Sequence, residues 1–314
     1  MSSVGANYSE TRARFGPRKT FFRRLETLIK FLFFLSAFFS VIITVGITFI
    51  LLKETIAFFQ SPEVTLREFF TTTDWSPTFA NPKFGVLPLV NGTLIIAIGS
   101  LLIATPIGLL TAIYLSQYAS PRARNIIKPI LELLAGIPTV VYGFLGLFYV
   151  TPILQRFFPT VEVFNAASGC IVVAVMVLPL ITTLCDDAFS AVPKSMGEGA
   201  LALGSTKFEV IQKIKFRAAL SGIAASIILA MSRAIGETMA VTLAAGQSPK
   251  MTLNPAESIQ TMTAYIVQIS KGDTPVGSTS YLTLYAVGFV LFVITMTLNI
   301  IAKKLVLRFR ILSV

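Results

Sequence analysis

The chain has 314 residues, 54% of them hydrophobic, and a mean hydropathy of +0.78. This composition is too apolar for an ordinary soluble globular domain and indicates a polytopic membrane protein. The net charge of +11 would suggest a nucleic-acid partner only in a soluble protein. The absence of histidine removes the commonest metal ligand and proton relay, so we expect no metal site.

Six apolar runs are long enough to cross a bilayer, which takes about 20 residues. They lie at 28–52, 87–117, 126–154, 166–189, 218–245 and 279–302. We therefore predict an all-α protein with six transmembrane helices. Because no small-residue cleavage site follows the first run, we interpret that run as an uncleaved anchor and not as a signal peptide.

The distribution of positive charge predicts the orientation of these spans. If the N-terminus is cytoplasmic, 19 of the 26 Lys and Arg residues lie on the cytoplasmic side, six lie outside and Arg233 lies within the fifth span. The positive-inside rule then places both termini in the cytoplasm. Topology accounts for the basic charge, so we expect a lipid environment and no nucleic-acid partner.

Two segments are predicted to lie outside, between spans one and two and between spans five and six. The second, 246–280, contains a candidate short helix at 256–270. These segments form either a docking face for an extracytoplasmic partner or simple connectors. Prolines within spans two, three and four predict kinked helices shaped around a cavity, at Pro106, Pro138 and Pro179. Cys170 and Cys185 are interpreted as small packing residues.

The loop at 190–217 is the longest cytoplasmic connection. Ser195 with Glu198 and Thr206 with Glu209 fit two capping boxes, and Gly204 between them fits a helix stop. The pattern predicts two short helices joined at Gly204, which would present a compact surface to a partner groove. An alternative interpretation of Glu198 is a capping residue alone.

The same loop resembles the E-A-A loop of ABC importer permeases, the element that docks into the ATP-hydrolysing subunit. The residues that carry the resemblance are Glu198, Gly199, Ala200, Gly204, Phe208 and Ile214. Gly199 replaces the usual Ala, and Phe216-Arg217 stand where the family often has Leu-Pro. The resemblance implies a type I importer permease of MetI-like architecture whose residues 190–217 form the coupling loop.

Arg233 and Glu237 are two charges within the apolar fifth span. A charge at the centre of a membrane helix costs about 2.5 to 3.5 kcal/mol on insertion scales, so such groups usually line a pathway. Four residues along one helix would place both side chains on nearly the same face. We expect a substrate path, and the alternative is a buried pair that only fixes helix packing.

Residues 232–241 are similar to the signature of phosphate importer permeases of the PstC type. Further similarity lies at Trp75-Ser76-Pro77, at Phe84-Gly85 and at Glu132 with 137–143. The resemblance covers about residue 70 to the end. It implies a PstA-like membrane partner, a PstB-like ATPase dimer and a PstS-like phosphate-binding protein. The chain has no G-x-x-x-x-G-K-[ST] loop, so the partner would use ATP and magnesium, and this chain would bind no cofactor.

Under this resemblance the chain is a transport subunit of the cytoplasmic membrane and not an enzyme. Its predicted organisation is a cytoplasmic basic segment at 1–27, a first span at 28–52, an extracytoplasmic loop at 53–86, a permease core at 87–303 and a cytoplasmic tail at 304–314. The alternatives are a permease for another oxyanion such as sulfate or molybdate, an ion-coupled carrier, or a sensor for phosphate signalling.

The predicted substrate path centres on Arg233. Its guanidinium stays charged and can bond two phosphate oxygens. Glu237 would neutralise Arg233 in an empty path and would shorten phosphate occupancy by repulsion. Thr139, Tyr142 and Thr238 are the remaining predicted path residues. Glu132 is a further candidate, and a local pair with Lys128, four residues earlier, is the favoured interpretation of it.

Overall fold

The computed structural model of the chain describes residues 18–311 except Asp273, and the regular elements in that range are helices. The predicted segments at 1–27 and 304–314 lie partly outside the described residues. The first half contains α1 (Arg18–Gln60), α2 (Leu66–Thr71), α3 (Leu87–Ile113), α4 (Pro121–Gly136), α5 (Thr139–Leu145) and α6 (Thr151–Phe157).

The second half contains α7 (Ala166–Ser190), α8 (Lys194–Ala202), α9 (Lys207–Glu209), α10 (Phe216–Ile235), α11 (Met239–Ala244), α12 (Met262–Lys271) and α13 (Thr279–Ile311). Three π-helical turns continue or join these helices, at Tyr114–Tyr118, Gly146–Val150 and Val210–Lys215. Such turns insert a residue into a helix and often mark functional positions.

Six helical stretches of the described chain are long and apolar enough to cross a membrane: Leu25–Gln60, Leu87–Tyr118, Thr139–Phe157, Ala166–Ser190, Lys207–Ile235 and Thr279–Lys304. Four of them overlap the predicted spans closely, whereas the fifth, predicted at 218–245, begins earlier at Lys207 and ends at Ile235. The third predicted span, 126–154, is wrong at its start, because α4 is a separate helix that ends at Gly136. Proline disfavours helical geometry at the residue before it, and here Ile137 and Pro138 are extended between α4 and α5.

The chain divides into two compact units, 1–53 and 54–314. In the first unit, the described apolar side chains of α1 are mostly exposed, as expected of a lipid-facing span. The second unit contains the packed core. There α7 is the central helix, and α3 and α10 pack along it.

The central helix α7 has a side-chain cap at its start and a proline in its interior. Asn165 caps its start, since the Asn165 side chain accepts a hydrogen bond from the Ser168 N–H at 2.7 Å. Pro179 lies inside α7 without ending it, a position that neighbouring helices make tolerable in membrane proteins. Both cysteines of the chain are free and buried on this helix, where Cys185 Sγ lies 3.0 Å from Ser226 Oγ of α10.

A second core cluster lies near α12 and is mainly aromatic. Phe58, Phe69, Trp75, Phe84 and Tyr265 are buried there with edge-to-face ring contacts, for example 4.9 Å between the ring centroids of Trp75 and Tyr265. Trp75 and Phe84 also form an isolated antiparallel bridge. The loop predicted between spans one and two is therefore a packed element and not a loose connector.

Residues 246–261, which we call the return segment, fold back over the start of α7. The Ala166 and Ala167 N–H groups donate to the carbonyls of Glu257 and Pro255 at 3.0 and 2.8 Å. These bonds satisfy donors that a helix N-terminus leaves unpaired. Because the carbonyls of Pro255 and Glu257 bond to the start of α7, the return segment is not helical, and the helix expected at 256–270 begins later, at Met262.

Candidate functional site

The fifth predicted span, 218–245, is interrupted just beyond Arg233. α10 ends at Ile235, and α11 begins at Met239 after three non-helical residues. Gly236, a poor helix former, lies at the break. The expectation that Arg233 and Glu237 share one helix face is therefore wrong, because Arg233 lies on α10 and Glu237 lies within the non-helical break.

The carboxylate of Glu237 is committed to the start of α11. Its Oε1 accepts a hydrogen bond from the Ala240 N–H at 3.1 Å, and Glu237 is only 8% exposed. This bond satisfies one of the unpaired donors of the helix N-terminus. Thr238, half-buried beside it, donates to the Gly236 carbonyl at 3.3 Å.

Arg233 differs from Glu237 in being exposed, in the last turn of α10. Within the described part of the chain it forms no ion pair, with Glu237 or any other carboxylate, within 4.0 Å. Its neighbour Ser232 donates to Asn299 Oδ1 of α13 at 2.9 Å. The guanidinium therefore remains available to an external anion.

A second break, at Ile137 and Pro138, is held by Tyr142. The Tyr142 side chain is buried, and its hydroxyl donates to the Leu134 carbonyl at 2.6 Å across the break. Thr139, half-buried, is the first residue of α5. The roles of Tyr142 and Thr139 in a substrate path stay predictions, although the Tyr142 hydroxyl has an intramolecular acceptor.

The two breaks are neighbours, because α5 packs directly on α11. A Cβ added at Gly143 would lie 2.8 Å from Leu243 Cβ and 3.1 Å from Ala240 Cα, so only glycine permits this approach. Arg233, Glu237 and Tyr142 thus lie at or next to the ends of discontinuous helices. In membrane transporters this construction places helix ends and irregular backbone beside a pathway.

The return segment and α12 support the break at residues 236–238 in the fifth span. The Thr263 hydroxyl donates to the main-chain carbonyl of Glu237 at 2.7 Å, and Thr261 Oγ1 lies 3.0 Å from Thr263 Oγ1. All three residues are buried. Sequence reasoning missed this network, because it joins residues more than twenty positions apart through hydroxyl groups.

The loop at 190–217 contains α8, a turn at Gly204, and α9. Gly204 has a φ of +85°, the left-handed geometry typical of a helix stop. The predicted capping box of Thr206 and Glu209 is confirmed, with both reciprocal hydrogen bonds present. The predicted box of Ser195 and Glu198 is wrong, because α8 begins at Lys194, after Pro193, and has no side-chain cap.

The second helix of the loop is not separate, because α9 continues through the π-helical turn at Val210–Lys215 into α10. Of the predicted coupling residues, Glu198, Gly199, Gly204 and Phe208 are exposed, Ile214 is half-buried and Ala200 is buried. The exposed members therefore form a surface at one end of the bundle.

Near this loop, α4 is joined to α7 by a buried acid that sequence reasoning also missed. Asp186 is fully buried, and its Oδ2 accepts from Lys128 Nζ at 2.7 Å and from Arg124 at 2.9 Å. The predicted pair of Lys128 with Glu132 is therefore wrong, since Lys128 bonds to Asp186 and Glu132 is exposed. The available signal was the i, i+4 spacing of two cations on α4.

Metal binding has no support from clustering in this region or elsewhere in the described chain. No group of three or more His, Cys, Asp or Glu side chains among the residues from 18 to 311, Asp273 aside, could hold a metal ion.

Residues 104–311 match the family model of the binding-protein-dependent transport system inner membrane component. This match includes the loop, Arg233, Glu237 and the two breaks. The chain belongs to this family. Its members are the membrane-spanning subunits of ABC importers and work with a separate ATPase and a substrate-binding protein, so the prediction of a transport subunit and not an enzyme is confirmed.

Curated relatives cover most of the chain. A probable ABC transporter permease protein, YqgH of Bacillus subtilis, is 36% identical over 262 residues, which are 83% of this chain and 84% of the relative. The phosphate transport system permease protein PstC of Xylella fastidiosa is 31% identical over 298 residues, or 86% and 90%. PstC 1 of Mycobacterium tuberculosis is 34% identical over 275 residues, or 76% and 81%.

Solved structures show the fold. The inward-facing MetNI methionine ABC transporter matches with a TM-score of 0.52 at 16% identity, over 72% of this chain and 94% of that one. A bacterial ABC transporter for import of alginate matches with a TM-score of 0.54 at 17% identity, over 91% and 99%. The predicted all-α, MetI-like importer fold of a multi-pass membrane protein is confirmed.

Proposed function

We propose that this chain is the permease subunit of an ATP-driven importer that carries inorganic phosphate across the cytoplasmic membrane. The observation that carries the proposal is the similarity to phosphate transport permeases, which extends over 298 residues in one case. A match of that length includes the breaks, Arg233 and the loop. It therefore favours phosphate over sulfate or molybdate more strongly than the fold does.

The proposed orientation has both termini in the cytoplasm, and it is supported by the distribution of Lys and Arg. The loop of α8 and α9 then lies on the cytoplasmic side, and the return segment lies outside. The loop would dock into a PstB-like ATPase dimer, which would bind ATP and magnesium. The proposed assembly also contains a PstA-like subunit beside this chain and a PstS-like phosphate-binding protein outside.

Arg233 is the proposed phosphate contact. Its side chain is exposed and forms no ion pair within the described residues, so phosphate binding would not require an existing pair to break. A guanidinium bonds two oxygens of one phosphate group in a planar arrangement. Since water is scarce within a membrane protein, this positive charge would offset much of the cost of moving an anion there.

Glu237 takes a different proposed role from the neutralising partner expected from sequence. Its carboxylate positions the start of α11, and its negative charge lies in the break that follows α10, four residues after Arg233. Repulsion between this charge and phosphate would shorten the time that phosphate remains bound. Arg233 would thus admit the anion and Glu237 would favour its release.

The test uses the complete complex in liposomes with ATP inside and the phosphate-loaded binding protein outside. We expect ATP-dependent accumulation of radiolabelled phosphate that persists when ionophores collapse the ion gradients. Sulfate and molybdate, each supplied at the same concentration, should not accumulate. Accumulation of sulfate or molybdate instead of phosphate would show that the proposed substrate is wrong. Uptake that is driven by an ion gradient without ATP would overturn the importer mechanism.

A further inference from the structure

Two cavities lie side by side between α3 and the loop that carries α8. One is an apolar groove of about 550 Å³, and the other is a cavity of about 400 Å³ that is lined by both charged and apolar residues. The apolar groove, as we call the first, is lined by residues that include Leu110, Tyr114, Tyr118, Phe208, Ile211 and Phe216. The basic cavity, as we call the second, is lined by residues that include Ser116, Gln117, Lys194, Glu198, Lys207 and Lys215.

The basic cavity has an excess of positive charge. It brings together the ammonium-bearing side chains of Lys194, Lys207 and Lys215, and Glu198 is the single acidic residue of its lining. None of the three lysines forms an ion pair within 4.0 Å in the described part of the chain. Lysines grouped in one cavity without paired carboxylates repel one another, and a bound anion would relieve that repulsion.

The lysines are also held in place by neutral neighbours. Lys215 Nζ donates to Gln117 Oε1 at 2.5 Å, and Lys207 Nζ lies 4.6 Å from the ring centroid of Tyr118. These contacts orient two positive charges without neutralising them. Ser116 and Gln117 add hydroxyl and amide groups suited to phosphate oxygens.

The apolar groove continues directly from the basic cavity. Ile211 lines both, and Tyr118 of the groove contacts Lys207 of the cavity. Leu110, Phe208 and Tyr114 are exposed at 68%, 64% and 45%, so the groove presents a large apolar surface. A ligand that fits both cavities must therefore have an anionic end joined to an apolar end.

The position of the apolar groove and the basic cavity further limits the class of ligand that would fit them. Both cavities lie where two membrane-spanning stretches end, Leu87–Tyr118 and the start of Lys207–Ile235. The π-helical turns Tyr114–Tyr118 and Val210–Lys215 frame them. Basic pockets between transmembrane helices at this depth suit the head groups of anionic lipids, and aromatic residues suit the membrane interface.

We propose that the apolar groove and the basic cavity bind one anionic phospholipid, with its phosphodiester among Lys194, Lys207 and Lys215 and an acyl chain beside Leu110, Tyr114 and Phe216. Free inorganic phosphate would leave the groove unused. An acidic peptide would likewise leave an acyl-sized apolar surface exposed. The lipid would join α3 to the loop of α8 and α9 through noncovalent contacts to both.

The experiment measures lipid retained by the full-length chain, purified with its membrane partners from nanodiscs of dioleoyl phosphatidylcholine containing one-fifth dioleoyl phosphatidylglycerol. Native mass spectrometry counts bound phosphatidylglycerol. We expect enrichment over phosphatidylcholine in the wild-type complex. In the double variant Lys207→Gln/Lys215→Gln the affinity should fall by about fivefold for each lysine, or about 25-fold together.

Lys213→Gln is the matched control, because Lys213 belongs to the same π-helical turn but pairs with Glu209 and lines neither cavity. This variant should retain wild-type lipid binding. Equal binding by the double variant and the control would overturn the proposal. If the double variant does not assemble, wild-type complex that shows no preference for phosphatidylglycerol over phosphatidylcholine would overturn it as well.

Competition separates the lipid from other anions. Inorganic phosphate at 10-fold excess, which corresponds to about 1.4 kcal/mol, should not displace phosphatidylglycerol. Dihexanoyl phosphatidylglycerol should compete poorly, because its short acyl chains bury little apolar surface in the groove. Displacement by inorganic phosphate would show an ion site and would contradict the proposal. Equal competition by the short-chain lipid would show that the apolar groove has no part in binding.

Discussion

The Thr263 hydroxyl donates a hydrogen bond to the main-chain carbonyl of Glu237, with 2.7 Å between the two oxygens. This contact joins α12 to the break in the fifth span at the point where the proposed phosphate path lies. It gives the break a fixed geometry although the residues there are not helical, because a buried carbonyl left without a donor is costly.

Thr263→Val should destabilise this region by about 1 kcal/mol, because valine keeps the shape of threonine and removes the hydroxyl. Phosphate uptake should also fall, since the backbone that carries Glu237 loses its support. Thr295→Val is the control, because the Thr295 hydroxyl bonds only carbonyls of its own helix. Thermal unfolding of the purified complex and uptake in liposomes measure the two effects, and equal effects of both variants would contradict the role of Thr263.

Arg233→Lys should lower phosphate uptake by about tenfold, because lysine keeps the charge but cannot bond two oxygens in a plane. Assembly should be unaffected, since Arg233 is exposed. Arg156→Lys, an exposed position at the end of α6, should leave uptake unchanged. Initial rates across a range of phosphate-loaded binding protein measure the effect, and wild-type rates in Arg233→Lys would exclude bidentate recognition.

Glu237→Gln should keep the fold, because the glutamine side chain still offers an oxygen to the Ala240 N–H. Loss of the negative charge should lengthen phosphate occupancy and so lower both the KM and the kcat of uptake. Glu237→Ala should in addition lower the stability, since the helix start loses its acceptor. Unchanged KM and kcat in Glu237→Gln would reduce Glu237 to a structural residue.

Asp186→Asn should destabilise the contact between α4 and α7 by about 2 kcal/mol, because Arg124 and Lys128 lose their shared carboxylate. The two cations are about one-third exposed, so water compensates part of the loss. Asp187→Asn is the matched control at an exposed neighbouring position. The unfolding midpoint and the thiol reactivity of buried Cys185 check the prediction, and similar changes in both variants would refute it.

Acid should loosen the return segment through Glu162. The Ser258 N–H, which donates to this carboxylate, and then Lys250 hold the pKa of the Glu162 carboxyl below its usual value of 4.5. The unfolded state therefore binds the proton more readily, and the stabilising contribution is present above pH 4.5 and is lost as the pH falls through the lowered pKa. The protection of the Ser258 N–H, measured as its hydrogen exchange relative to the intrinsic rate at each pH, should fall at acid pH in the wild type, and Glu162→Gln should remove that dependence.

The six spans could be predicted because each is a long apolar run, and the box of Thr206 and Glu209 because both partners lie within four residues. The break at Ile137 could not be placed from hydrophobicity, since the residues around it are as apolar as the helices themselves, and the break at Gly236 lies within a run that is apolar apart from Arg233 and Glu237. Pro138 was visible as a kink, yet the stop that it causes depends on the extended backbone before it. The proline signal therefore marked the place without giving the geometry.

Long-range polar contacts were the other part of the site that sequence could not supply. Asp186 was an unassigned acid near the end of an apolar run, and its bonds to Arg124 and Lys128 depend on how α4 folds back along α7. Likewise, no local pattern joins Thr263 to Glu237. The charged residues of the site could be identified from the sequence by their residue type. The groups that hold them in place could be identified only from the folded structure.

The π-helical turn at Val210–Lys215 determines how the side chain of Phe208, before the turn, is rotated about the helix axis relative to that of Arg233, beyond it. One additional residue in a turn rotates everything beyond it by about 100° relative to an uninterrupted α-helix. A helical wheel drawn continuously from Lys207 to Ile235 therefore assigns Arg233 to the wrong side with respect to Phe208. Deletion of a single residue from the turn would leave both ends intact in sequence and would direct the arginine away from its present face.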